Sequence, residues 1–241
     1  MKMTKILQPT KAYLDIVQKE SKTLTEALKD QLLILDLNGT LVSRNKKNKS
    51  MYVRPYSKEF FDYIFENFTV MLWSSAQTHS VKYMSRAFGS HAEKITVTWD
   101  RHHFGLSKID FNRKVVTIKN LDKVWKYFGG KYDATNTVLL DDSPEKTVMQ
   151  PYNAIHPAEF VHHNNEFILS GEAELLNVVD YLQKLQFQSN IANYIKQFPY
   201  KSNLKHEKNT TVVEYFQFTN EYSAPTIIDL DITATLKEIK L

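Results

Sequence analysis

Apolar positions along this chain fall into two kinds of run. Some are short and unbroken or strictly alternating; others recur every third or fourth residue over longer stretches. Gln31–Leu35, Thr69–Trp73 and Thr137–Leu140 belong to the first kind, and each ends on polar residues: Asp36, Ser74-Ser75 and Asp141-Asp142-Ser143-Pro144. Ile95–Trp99 alternates, and the β-branched run Val115–Ile118 leads to Lys119. Runs of this length predict strands. Helical spacing predicts a helix over about Lys11–Lys29 (Tyr13, Leu14, Val17, Leu24, Leu28) and a short one around Lys58–Phe65. Another spans Thr78–Phe88 and stops at Gly89, and one carries Leu121, Val124 and Trp125 up to Gly129-Gly130. Glu172–Phe187 reads as an amphipathic helix with Leu175, Val178, Val179, Leu182 and Leu185 on one side.

Strands alternating with helices of these lengths predict an α/β, Rossmann-like, mostly parallel sheet covered by helices on both faces. The expected organisation is an N-terminal helical extension over 1–30, a main domain over 31–198 and a C-terminal extension over 199–241. Within the last, Thr211–Phe218 and Thr226–Ile232 read as strands, either of an appended edge hairpin or of a partner-binding arm. Ser90–Val115 reads as a modest insertion of short strands.

Ligands of such sheets bind beyond the carboxyl ends of the strands. Asp36, Ser74, Lys119 and Asp141 each follow a predicted strand, so four polar groups are expected in one crevice. A carboxylate there can attack phosphorus if a metal ion screens the two anions. Magnesium takes oxygen ligands, which Asp36, Asp141 or Asp142 and the backbone carbonyl of Asn38 can offer. Ser74 and Lys119 can hold a phosphate. Arg44, Lys46, Lys47 and Lys49 form a polar flap, read either as a solvated loop or as an electropositive rim for a phosphorylated ligand.

Composition narrows the classes. The 241 residues are 42% hydrophobic and 24% charged, with net charge +4, which suits an acidic partner without requiring one. The chain has no cysteine, so thiolate catalysis and thiolate metal sites are excluded. No run nears the ~18 apolar residues of a membrane span. The polar start lacks an apolar signal core and the Arg-rich bias of a presequence, which points to nucleus or cytoplasm over mitochondrion. The pairs His102-His103 and His162-His163 read as surface or structural residues.

The motifs as an ordered set resemble the haloacid-dehalogenase superfamily, in the branch of RNA polymerase II C-terminal-domain phosphatases and their small relatives. That branch includes a phosphatase-like subunit of the mitochondrial inner-membrane translocase. The residues that carry the resemblance are Asp36-Leu37-Asn38-Gly39-Thr40-Leu41, Arg54-Pro55 with Glu59-Phe60, Leu72-Trp73-Ser74-Ser75-Ala76, Lys119-Asn120-Leu121 and Leu140-Asp141-Asp142-Ser143-Pro144. The resemblance implies Asp36 as nucleophile, Ser74 and Lys119 on phosphate, and Thr40, Ser75 and Arg101 among substrate-binding positions. It implies Mg2+ held by Asp36, Asn38, Asp142 and its neighbour Asp141.

Asn38 departs from the family pattern. The family's aspartate there protonates the leaving oxygen and then activates water; an amide does neither. The expected function is a magnesium-dependent phosphatase of phosphoserine or phosphothreonine in proteins, slowed by Asn38. The alternatives are a non-catalytic binding module on the same fold and, less favoured, a nucleic-acid end phosphatase. The short gaps between Thr40 and Arg54 and between Lys119 and Asp141 leave no room for a large cap, so an open crevice for a large substrate is expected.

Overall fold

A computed structural model of the chain describes residues 7–45, 50–163 and 172–202, together with the strand backbones 214–218 and 226–229. The elements run α1 (Lys11–Val17), β1 (Leu32–Leu35), β2 (Val42–Asn45), β3 (Ser50–Val53), α2 (Ser57–Asn67), β4 (Thr69–Trp73), α3 (Thr78–Met84), β5 (Val97–Trp99), α4 (Lys108–Phe111) and α5 (Leu121–Tyr127). They continue with β6 (Thr137–Leu140), β7 (Ala154–Ile155), α6 (Glu174–Leu185), α7 (Ile191–Gln197), β8 (Glu214–Phe218) and β9 (Thr226–Asp229).

The main sheet has the order β5-β4-β1-β6-β7, and its neighbouring strands pair in parallel. β1 is central, with Leu35 opposite Leu72 on one side and Leu140 on the other. Because alternate side chains point to opposite faces, the unbroken run 32–35 feeds two cores. Leu33 and Leu35 join Phe60, Phe61, Leu175, Val178, Leu182 and Leu185 on one face. Leu32 and Ile34 join Trp73, Phe104, Leu121, Val124 and Tyr132 on the other. Burying each such side chain is worth roughly 1.5–3 kcal/mol. The two-faced demand explains why the strand is apolar at every position.

Several expectations need correction. The helix at the N-terminus stops at Val17, not Lys29. Beyond it the chain runs through turns and bends, with Thr23 bridging Gln188 and the Leu24 and Leu28 amides donating to the Phe187 and Gln186 carbonyls. The helix from Thr78 ends as α-helix at Met84 and tightens into a 3-10 segment, Ser85–Lys94, interrupted at Gly89. Val115–Ile118 pairs with no strand among the described residues; Thr117 is buried and Val116 open to solvent, so the alternation is real without a ladder. The insertion from Ser90 is mostly helical turns, with β5 its one described strand.

A second, antiparallel sheet was not expected in this form. β2 and β3 make a hairpin, and the C-terminal strands extend it in the order β2-β3-β8-β9. The described strands of the tail, β8 and β9, thus pair with each other and add to the edge of β3. Residues 46–49, the lysine part of the flap, lie outside the described residues.

Candidate active site

The site is built where β1 and β6 end side by side. The Asp36 amide donates to the Leu140 carbonyl at 2.9 Å, and the Asp141 amide to that of Ile155 at 3.1 Å, so the ladder itself aims both carboxylates off the sheet. Lys119 arrives from a loop rather than a strand. Its amide donates to the Lys146 carbonyl, and Asn120 then caps α5. The Lys119 ammonium lies 2.8 Å from Asp36 Oδ1 and 2.7 Å from Asp141 Oδ2, with all three side chains buried. Asp36, Asp141 and Asp142 offer oxygens within 4.8 Å of one another.

The turn after Asp36 closes tightly. The Gly39 amide donates to the Val42 carbonyl, and the Leu41 and Val42 amides to that of Leu37. Gly39 has φ +91°, a conformation that favours glycine, and a Cβ there would come within 2.9 Å of the Asp142 carboxylate and push it aside. Thr40 is buried under this turn. Its hydroxyl donates to Asp142 Oδ1 at 2.8 Å and accepts from the Asp142 amide at 3.1 Å. It thereby positions an acidic residue of the site.

Burial pushes Asp36 above the usual carboxylate range despite the pull of Lys119. Burial acts the same way on Asp141, yet Lys119 and Lys146 together hold it below that range. The pair competes for shared cations, and Asp141 is the firmer anion.

Ser74, at the end of β4, is buried, and its oxygen accepts from the Ala76 amide at 3.3 Å, which leaves its proton able to donate elsewhere. The Ser75 hydroxyl bonds that of Thr117 and so anchors the loop leading to Lys119. Arg101 lies in the inserted segment, just past β5. It is 8% exposed, and its guanidinium donates to the carbonyls of Phe111, Ser75, Asp110 and Arg113. It braces the inserted segment. The histidine pairs are structural: His103 completes a capping box with Asp100 and stacks on Trp99, and His162 stacks on Tyr52 and bonds Ser43.

Asn38 sits exposed at the mouth, where its side-chain oxygen accepts from Arg44 Nε at 3.1 Å. Two residues at the site were not anticipated. Lys146 stands 3.0 Å from Asp141 Oδ1 and 3.6 Å from Asp36 Oδ2. Arg54, known from the sequence as part of a signature, turns out to hold the nucleophile turn from behind by donating to the Thr40 carbonyl at 2.9 Å. Neither role has a local signal, since each depends on partners far along the chain.

Residues 31–192 match the NLI interacting factor-like phosphatases. The chain belongs to this family. The family is one of haloacid-dehalogenase-type phosphoprotein phosphatases. An uncharacterized FCP1 homology domain-containing protein of Schizosaccharomyces pombe is 38% identical over 71% of this chain and 78% of its own length. The ubiquitin-like domain-containing CTD phosphatase 1 of Xenopus tropicalis is 25% identical over 64% of this chain but 49% of its own length. The solved fission yeast RNA polymerase II CTD phosphatase Fcp1, bound to beryllium fluoride, superposes with TM-score 0.43 at 13% identity, covering 66% of this chain and 50% of that one.

Proposed function

We propose that this family member is a magnesium-dependent protein phosphatase acting on phosphoserine or phosphothreonine through a phosphoaspartate on Asp36, at a rate lowered by Asn38. The observation that carries this reading is the buried Asp36 carboxylate, gripped by Lys119 at the end of the central strand inside an oxygen-only cluster. Such donors fit Mg2+, which Asp36, Asp142 and the Asn38 backbone carbonyl would hold, with Asp141 beside them. Once bound, the ion supplies positive charge between nucleophile and phosphate.

An Asp36 carboxylate oxygen attacks phosphorus, the bond from phosphorus to the seryl or threonyl oxygen breaks, and the departing alkoxide takes a proton from water. Water then attacks the phosphoaspartate, the phosphorus–Asp36 bond breaks, and phosphate leaves with the carboxylate regenerated. Ser74 and Lys119 stabilise the transferring group. Both proton transfers lack a side-chain partner at Asn38. General acid–base help is worth roughly 10²–10⁴ in rate, or about 3–5 kcal/mol of barrier.

The relatives named as CTD phosphatases support a phosphorylated protein as partner. Because the chain spans about half their length, its substrate is assigned by class only. Among the described residues no helix is long and apolar enough to cross a membrane. A second reading, a phosphate-binding module without turnover, draws on the contact between Asn38 and Arg44, which fills the acid–base position with an amide held by a cation. Nucleic acid is the less favoured partner.

Turnover of p-nitrophenyl phosphate decides between them. Activity that requires Mg2+ and falls at least a hundredfold in Asp36→Asn supports the enzyme. Wild-type activity no higher than that variant's, with phosphopeptide binding retained, supports the module.

A further inference from the structure

Lys146 is the charged group at the site that the proposed reaction leaves without a task. It closes the 3-10 turn Pro144–Lys146, directly after the acidic motif, and its side chain is 15% exposed. The two ammonium groups divide the four oxygens of the carboxylate pair between them. Lys119 takes Asp36 Oδ1 and Asp141 Oδ2, while Lys146 faces Asp36 Oδ2 and Asp141 Oδ1. Asp142 lies within the same acidic group. Three carboxylates therefore face two ammonium groups, leaving little unbalanced negative charge to attract a divalent ion. Asp36 Oδ2, the oxygen Lys119 does not touch, is the one Lys146 covers, and from the looser distance of 3.6 Å. A cation that ligates Asp36 and Asp142 would meet this ammonium at close range, where like charges repel strongly in a buried setting.

We propose that Lys146 is a built-in counter-cation of the carboxylate cluster, which holds the metal-free site together and is displaced from Asp36 when a divalent ion binds, so that it sets the metal affinity. This rests on the reading that Asp36 and Asp142 hold the ion. The geometry supports it: a largely buried ammonium is held in this place by the carboxylates of Asp36 and Asp141. Lys119, bound to both carboxylates at shorter distances, stays put; Lys146, reached from a surface turn, is the one able to swing out.

Calorimetric titration of Mg2+ and Mn2+ into wild type, Lys146→Gln and Lys146→Arg tests the idea without any turnover. Lys146→Gln is expected to bind at least tenfold more tightly, and Lys146→Arg to stay near wild type. Equal or weaker binding by a folded Lys146→Gln overturns the inference alone, because it makes the lysine a plain structural support. Binding absent from both wild type and Lys146→Gln overturns it together with the metal-assisted reading of the site. A measurement on the wild type covers the case of a misfolded variant. Saturating Mg2+ should raise the acylation of Lys146 by an amine-reactive reagent at least fivefold by peptide mass spectrometry, with Lys119 protected throughout; an unchanged Lys146 rate sinks the proposal.

Discussion

Asn38 keeps the shape of an aspartate and discards its proton chemistry, and its exposed place at the mouth means that a carboxyl there costs little to build. Asn38→Asp is expected to raise aryl phosphatase turnover by roughly ten- to a hundredfold, within the span of general acid–base effects. Arg44 shapes the pH dependence. Its guanidinium, which now donates to the Asn38 oxygen, would favour the ionised form of the introduced carboxyl and pull its pKa down. A general acid must be protonated, so the gain is largest on the acid side of neutrality and shrinks as pH rises. Adding Arg44→Gln should move the optimum upward. A pH–rate profile checks both, and a variant no faster than wild type at any pH would remove Asn38 from the bottleneck. At this scale Asp36, Asp141 and Ser74 were legible because each follows an apolar run whose end the ladder fixes. Lys146 was not, since nothing in Pro144-Glu145-Lys146 says which way a turn will aim its ammonium. The partners of Arg101 and Thr40 were hidden for the same reason, since the carbonyls and the carboxylate they bond lie elsewhere along the chain.

The nucleophile turn depends on elements far from it. Arg54, fully buried, donates Nε to Glu172 Oε1 at 3.0 Å, Nη1 to the Thr40 carbonyl at 2.9 Å and Nη2 to the Ala158 carbonyl at 2.8 Å. The Phe160 amide donates to the Gly39 carbonyl at 2.7 Å, and the Arg54 guanidinium lies 5.6 Å from the Phe160 ring. One side chain therefore ties the β1 turn to the segment after β7 and to the residues that open α6. Arg54→Ala leaves Glu172 buried without its partner and is expected to cost about 3–5 kcal/mol, read as a lower urea midpoint. A loss under about 1 kcal/mol, the range of an exposed pair, would mean that the ion pair is better hydrated than its burial implies. Elements were readable where periodicity coincided with burial on known sides, as in β1, β4, β6 and α6. They were misread where tertiary pairing overrode it. Leu24 and Leu28 carry a helical spacing, but their amides serve the chain around Gln186 and Phe187. Val115–Ile118 has strand composition, yet it is tied to the site by Thr117 and Ser75 rather than by a ladder.

Across the whole molecule the two sheets divide the labour. The parallel sheet delivers Asp36, Ser74 and Asp141 from its strand ends, while the antiparallel sheet rises from the β2–β3 hairpin and recruits the chain's last described strands. β3 pairs with β8 from Met51 opposite Phe218 to Val53 opposite Phe216. A chain ended after Ser202 would leave that edge of β3 unpaired, and an open edge is a template for another chain. The carboxylate cluster and its lysines draw on β1, β6 and the loops beside them and, among the described residues, have no ladder bond to β8 or β9. Truncation is therefore expected to preserve Mg2+ binding and the aryl phosphatase rate while the protein associates with rising concentration, as read by light scattering on a sizing column. Lost metal binding in a truncated chain that stays monomeric would reverse the assignment, because the tail would then serve the site and not the sheet edge.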